Sequence, residues 1–387
     1  MSALALAPGT RQSSGARLDI DLGAVAANTA LLRRRTSAAL MAVVKADGFG
    51  HGAEQVARTA LAHGASWLGV TSIEEALPLR GAGIDAPLLS WLNDLDADFA
   101  GALHAGVDLA VPGIEHLYAV AAAAARTGPA DVHLHLDTGL ARDGAEPTEW
   151  ARLCREARRA EQRGLVRVVG VMGHLACADS PGDASNDLGR TRFAWGVQAA
   201  RAAGLRPTHR HLAATAATLT DPRSHHTLVR IGAGLVGIDP SGTTPLAQPL
   251  TLSAPVVSVR RVRAGTGVGY GHTWAAPSAT TLALLPFGYA DGLPRTASGR
   301  AEVLVRGTRR AVVGRISMDQ AVVDLGPDST VRPGERAVLL GPGEIGEPTV
   351  DDWAAWSDTL PHEVVTGLGA RLHRHLRPAA TTTLRSL

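Results

Sequence analysis

Among the 38 basic residues of this 387-residue chain, Lys45 is the one lysine, and all the others are arginine. Cysteine is scarce as well. Cys154 and Cys177 stand apart without metal-ligand spacing, which argues against a disulfide framework and a metal site and points to a reducing, cytoplasmic setting. Neither sign of charge dominates: a net charge of +2 with scattered arginines gives no footprint for nucleic acid. No apolar run is long enough to span a membrane. The opening MSALALAPGTRQSSG has neither the basic start nor the long apolar core of a signal peptide, so residues 1–15 read as a flexible tail.

A chain that has replaced its other lysines with arginine keeps one for a reason. Arginine cannot give up its proton in a protein, whereas a lysine amine can be desolvated, deprotonated and used as a nucleophile or Schiff-base partner. Lys45 ends the apolar run Leu40-Met41-Ala42-Val43-Val44 and precedes a glycine-rich turn through Gly48, Gly50 and Gly52, unlike a stray surface lysine among polar neighbours.

From about residue 41 to 237, short apolar runs alternate with helical patterns. Eight strands are predicted, at MAVVK, WLGV, PLLSW, DLAV, VHLHLD, VVGVMGH, HRHLA and LVRIG, with helices over 54–63, 72–80, 115–127 and 148–163, each followed by glycine. This is the pattern of an α/β (β/α)8 barrel, whose active site lies at the carboxyl ends of the strands. Lys45, Trp91, Asp137 with Arg142, His174, His211 with Thr215, and Arg230 all fall there. Gly232 and Gly234 in VRIGAG, just after the last strand, suit a phosphate held by backbone N–H groups.

The grammar changes near residue 249. β-Branched runs separated by Gly and Pro turns predict a mainly β domain over 249–387, ending in a short helix at DDWAAWSD and an extended tail. The barrel domain is expected over 16–248, with its first strand able to pair with the β domain. A lysine at a strand end, a glycine-rich phosphate loop and an arginine beside it together suggest pyridoxal 5′-phosphate (PLP).

The motifs AVVKADGFGHG, SIEEALPLRGAGI, DTGLAR, VRIGAGLVGI, AGTGVGYGHTW, LPFGYADG, VGRISMDQ and HEVVT closely resemble, in the same order across both domains, those of the alanine racemases. The resemblance implies a PLP enzyme of fold type III that interconverts L- and D-alanine, as a homodimer with active sites shared between subunits. By the same resemblance, Lys45 matches the lysine that holds PLP and acts as one base, and Tyr270 the opposite base, reaching in from the partner chain. Arg230 matches the arginine facing the pyridine nitrogen, His174 a histidine near the ring, and Thr215, Gly232 and Ala233 the phosphate contacts, while Trp91 lies on the cofactor rim. Arg142 and the backbone at Met318 match substrate-carboxylate contacts, and Tyr289 an entrance tyrosine.

The bottom-up chemistry agrees, because racemisation removes a proton from one face of Cα and returns it to the other, which requires two bases. Of the three tyrosines, Tyr118 lies in an Ala-rich helix, whereas Tyr270 and Tyr289 lie in Gly-flanked turns. A tyrosine base needs a positive or hydrogen-bond-donating environment to work near neutrality, which His174 and Arg230 could supply.

The chain departs from the family at several positions. Phe49 replaces a tyrosine, Ala214 an asparagine and Ser317 a cysteine, and Ala370 aligns with a late tyrosine. His135 replaces a lysine that is often carbamylated, so Arg142 must be positioned by neutral His135, an anion or water. Other readings are a racemase for another small amino acid, a lyase or decarboxylase on the same fold, a non-catalytic PLP carrier, and a PLP-free aldolase. Tyr270 argues against a lyase or decarboxylase, the complete β domain against a carrier, and Arg230 with the phosphate loop against an aldolase.

Overall fold

A computed structural model of the chain describes residues 15–369 and 371–378. The expected tail before residue 15 and the aligned position Ala370 lie outside the described residues. Two compact units are present, one spanning Leu22–Ala247, the other combining the chain up to Asp21 with that from Gln248 onward.

Strand β1 (Arg17–Asp21) belongs to the second unit. The first unit is built on β2 (Ala39–Val43), β3 (Trp67–Val70), β4 (Leu88–Ser90), β5 (Asp108–Val111), β6 (Ala130–His135), β7 (Val166–Met172), β8 (His209–His211) and β9 (Leu228–Ile231). These are the eight expected strands, paired in parallel in the order β8-β7-β6-β5-β4-β3-β2-β9. The ring is drawn together between β8 and β9 by the Thr227 N–H donating to the Arg210 carbonyl at 3.2 Å and the Arg230 N–H to the Ala213 carbonyl at 3.0 Å. Leu40, Leu68, Leu88, Leu109, Leu134, Val171 and Val229 are fully buried. A parallel sheet covered by helices has no solvated face, which is why strands such as β2 and β3 are apolar without alternation.

The predicted helices form at Ala53–Ala62, Ile73–Gly81, Ile114–Thr127 and Pro147–Gln162. Helices Leu22–Arg34 and Ala184–Ala202 were not read from the sequence. Both are weakly amphipathic, carrying alanine, glycine or threonine at contact positions, and neither gives a clear apolar stripe.

In the second unit, β10 (Leu250–Pro255), β11 (Ser258–Val262), β14 (Thr280–Leu285), β15 (Glu302–Val305), β16 (Thr308–Val313), β17 (Ala321–Gly326), β18 (Arg336–Leu340) and β19 (His373–Arg377) join β1 in one sheet. A separate two-stranded hairpin pairs β12 (Gly267–Val268) with β13 (Trp274–Ala275). β1 runs antiparallel to β10 and parallel to β19, burying Leu18 and Ile20. The segment after DDWAAWSD is not simply extended. Pro361 starts a helix at its first position, Pro361–Thr366, before the chain straightens into β19. Among the described residues no helix is long and apolar enough to cross a membrane.

Candidate active site

Lys45 stands directly after β2, half-buried. Burial holds its amine below the usual lysine range; Arg142 pushes the same way, Glu75 opposes, and Arg230 adds a smaller depression. More of this amine is therefore neutral at a given pH than for a solvated lysine.

Arg230 projects from β9 and is buried, its pKa lowered to about 10 by burial. One guanidinium nitrogen donates to the His211 carbonyl at 2.8 Å and lies 3.0 Å from His211 Nδ1. The other donates to the Gly173 carbonyl at 2.7 Å and lies 3.2 Å from His174 Nδ1. A guanidinium can only donate, so both imidazoles accept through Nδ1. That assignment propagates. His211 Nε2 carries a hydrogen and donates to His133 Nδ1 at 2.8 Å, and His133 Nε2 in turn donates to Asp108 Oδ2 at 3.2 Å. Arg230, His211, His133 and Asp108 thus form one line of donors pointing the same way across the barrel interior, which fixes both tautomers and the plane of the guanidinium.

His174 is pushed down to about 3 by burial first, then by Arg230, Arg142, His135 and Lys45. An unfolded histidine titrates near 6.5, so as pH falls the unfolded chain takes up this proton first. Stability present above about pH 6.5 is then lost toward acid, by up to about 1.4 kcal/mol per pH unit from this group. Urea unfolding between about pH 6.5 and 5 is expected to show a steeper loss in the wild type than in His174→Gln. Equal slopes would mean that His174 is protonated in the fold.

The phosphate-region residues predicted from sequence meet in one place. The Thr215 hydroxyl is buried and accepts the Gly234 N–H at 3.2 Å, leaving its own hydrogen to donate. Gly232 leads into the turn Ala233–Val236, and a Cβ added there would lie 2.7 Å from Phe49 Cζ. Phe49 therefore packs its ring on the backbone of the turn. Trp91 follows β4, its ring against Gly69, where an added Cβ would lie 2.7 Å away. No group of three His, Cys, Asp or Glu suited to a metal occurs among the described residues.

Arg142 is exposed on the loop after β6, where Asp137 Oδ1 accepts the N–H groups of Gly139, Leu140 and Ala141. His135 is buried, with Nδ1 3.3 Å from Asp143 Oδ2, close enough for attraction but off line for a hydrogen bond. Burial alone would raise the Asp143 carboxyl; His135 and the Gly144 N–H outweigh it and hold it below its ordinary value. The carboxylate beside His135 was missed in the sequence, although Asp143 adjoins Arg142. Glu75, His133 and Asp108 were missed too, since each reads alone as an ordinary helix or strand residue.

In the second unit, Tyr270, Tyr289 and Met318 are all exposed, Tyr270 by 69%. Tyr270 opens a single turn between Gly269 and Gly271, both at positive φ. Tyr289 and Met318 are brought together, because the Tyr289 N–H donates to the Ser317 carbonyl at 3.0 Å and the Ala290 N–H to the Met318 carbonyl at 2.9 Å.

The model of the alanine racemase N-terminal domain matches residues 20–240, and that of the C-terminal domain residues 249–376. The chain belongs to the alanine racemase family. It is 46% identical over 367 residues to the alanine racemase of Thermobifida fusca, covering 94% of this chain and 98% of that one. The crystal structure of alanine racemase from D-cycloserine-producing Streptomyces lavendulae superposes with a TM-score of 0.92 at 44% identity, covering 95% of this chain and 98% of the other. That from Bartonella henselae, with covalently bound pyridoxal phosphate, superposes with a TM-score of 0.86 at 26% identity, covering 94% and 99%. The barrel rim carries an amine, a buried guanidinium, a hydroxyl with a hydrogen to donate, and a turn bare enough for backbone contact.

Proposed function

We propose that the protein interconverts L- and D-alanine with Lys45 and Tyr270 as opposing bases, PLP as cofactor, and active sites shared in a cytoplasmic homodimer. The observation that carries this reading is the position of the only lysine, at a barrel strand end, with its amine pKa lowered by burial and by Arg142 and Arg230.

The donor set fits PLP. Lys45 would bond the aldehyde carbon, Arg230 would face the pyridine nitrogen, and Thr215, Gly232 and Ala233 would hold the phosphate, with His174 and Trp91 flanking the ring. PLP, when bound, draws electrons from the amino acid's Cα and so weakens its C–H bond. Arg230 would keep a positive charge on that side of the cofactor, because it cannot be neutralised near pH 7 and its guanidinium is locked by the His211 and Gly173 carbonyls. Arg142 would orient the substrate carboxylate. Lys45 takes or returns the proton at Cα on one face; the Tyr270 hydroxyl, presented to solvent in its own unit, does so on the other, with Tyr289 and Met318 bordering the substrate. The two-base arrangement favours racemisation over a lyase or decarboxylase, which needs no second base.

Purified protein is expected to absorb visible light once PLP is added and to convert L-alanine to the racemate, followed by chiral chromatography. A colourless protein that stays so with PLP would overturn the assignment. Gly232→Ala sets a methyl against Phe49, an overpacking that costs about 1–3 kcal/mol. It is expected to weaken PLP binding about tenfold or more, measured by fluorescence titration.

A further inference from the structure

The backbone after Lys45 turns the wrong way. Ala46, Asp47 and Phe49 have φ of 50°, 53° and 56°, and Gly48 of 63°, so four consecutive residues make a left-handed turn. Each non-glycine residue there costs roughly 1–2 kcal/mol, and such strain persists only where the surroundings enforce it. Backbone bonds close the turn internally, from the Gly48 N–H to the Val44 carbonyl at 2.8 Å and from the Gly50 N–H to the Ala46 carbonyl at 2.9 Å. Its first N–H is held from outside: Ala46 donates to Glu75 Oε1 at 2.6 Å, while Thr71 donates to Glu75 Oε2 at 2.8 Å.

Glu75 sits three residues after Ser72, the N-cap of helix Ile73–Gly81, a spacing that would ordinarily send its side chain back to the cap's own N–H. It reaches past the cap instead, and one carboxylate ties the loop after β2 to the loop after β3.

We propose that Glu75 is a positioning residue for Lys45: its carboxylate clamps the left-handed turn that aims the side chain and places a negative charge before the amine. The charged groups acting on the amine are Arg142 and Arg230 on one side of the balance and Glu75 on the other, with His174 feeling the amine in return. Without Glu75, two arginines would act on Lys45 unopposed and the turn would lose its outer bond. The proposal rests on Lys45 as the catalytic amine.

Because the chain has one lysine, full-length protein labelled with carbon-13 at the lysine ε position gives a single amine reporter. Its titration, followed by NMR before PLP is added, is expected to move to lower pH in Glu75→Gln. With PLP added, kcat is expected to fall on the order of 10²-fold, the effect of a reacting group misplaced by about 1 Å, while KM for alanine changes little. Ser72→Ala removes the cap of the same helix and is expected to lower Tm without moving the lysine titration. An unmoved midpoint in Glu75→Gln overturns the proposal, whatever happens to Tm. Should Glu75→Gln not fold, Glu75→Asp carries the test, since it keeps the charge but is too short to span both N–H groups; wild-type kcat in that variant overturns the proposal. If Lys45 itself proves dispensable, it is the reading of the site that fails.

Discussion

Lys45→Arg is expected to lower kcat/KM for alanine by about 10³-fold or more, as much as Lys45→Ala. Arginine keeps the positive charge and nearly the length of lysine, so a structural or electrostatic role for Lys45 would survive the exchange. A role that needs a free electron pair would not, because the guanidinium cannot be deprotonated. Desolvation and two neighbouring arginines already bias the lysine amine toward its neutral form. Arginine at this position would keep its proton. Borohydride treatment of the PLP-loaded wild type should leave the pyridoxyl group on the peptide containing Lys45 and on no other; with a single lysine in the chain, mapping is unambiguous. Substantial racemase activity in Lys45→Arg would remove this residue from the mechanism.

The second large effect is a recovery. Lys45→Ala and Tyr270→Phe are each expected to be nearly inactive, the latter by about 10²–10⁴-fold for loss of a positioned acid–base group. Mixed in equal amounts under conditions of subunit exchange, the two should regain about a quarter of the wild-type sites, as two-fold symmetry requires. With sites shared in a homodimer as proposed, half of the dimers would be hybrids, and in each hybrid one site would have both bases and the other neither. Lys45 and Tyr270 lie in different compact units, and Tyr270 is 69% exposed. A base needs a water-poor surrounding to work against a carbon acid, and a second subunit would supply one. No recovery, with exchange verified by mass spectrometry, would mean that both bases come from one chain.

Most of the barrel was legible because its signals are local. Most strands of the ring are short apolar runs, each of the four predicted helices ends near a glycine, and the polar residues after the strands share a rim for topological reasons. Lys45 stood out by composition, and Arg230 with Gly232 by spacing. The placement of β1 is of another kind. RLDID reads as a half-buried strand wherever it occurs, and its partners, Leu250–Pro255 and His373–Arg377, lie more than two hundred residues away in the chain. Pairing at that range is chosen by which sheet edge needs covering, and no local pattern records it.

The sequence by itself determined the fold class, because strands, helices and their glycine ends are specified by neighbouring residues, and it singled out the two proposed bases, Lys45 by composition and strand-end position and Tyr270 by its resemblance to the family motif. Only the tertiary structure decided how those groups are tuned. The line from Arg230 through His211 and His133 to Asp108 joins four strands and fixes two tautomers; Asp143 comes to His135 because a loop folds back; and Glu75 reaches Ala46 across 29 residues. Electrostatic tuning depends on distance and burial in space, and for side chains on different strands neither is written in the order of the residues.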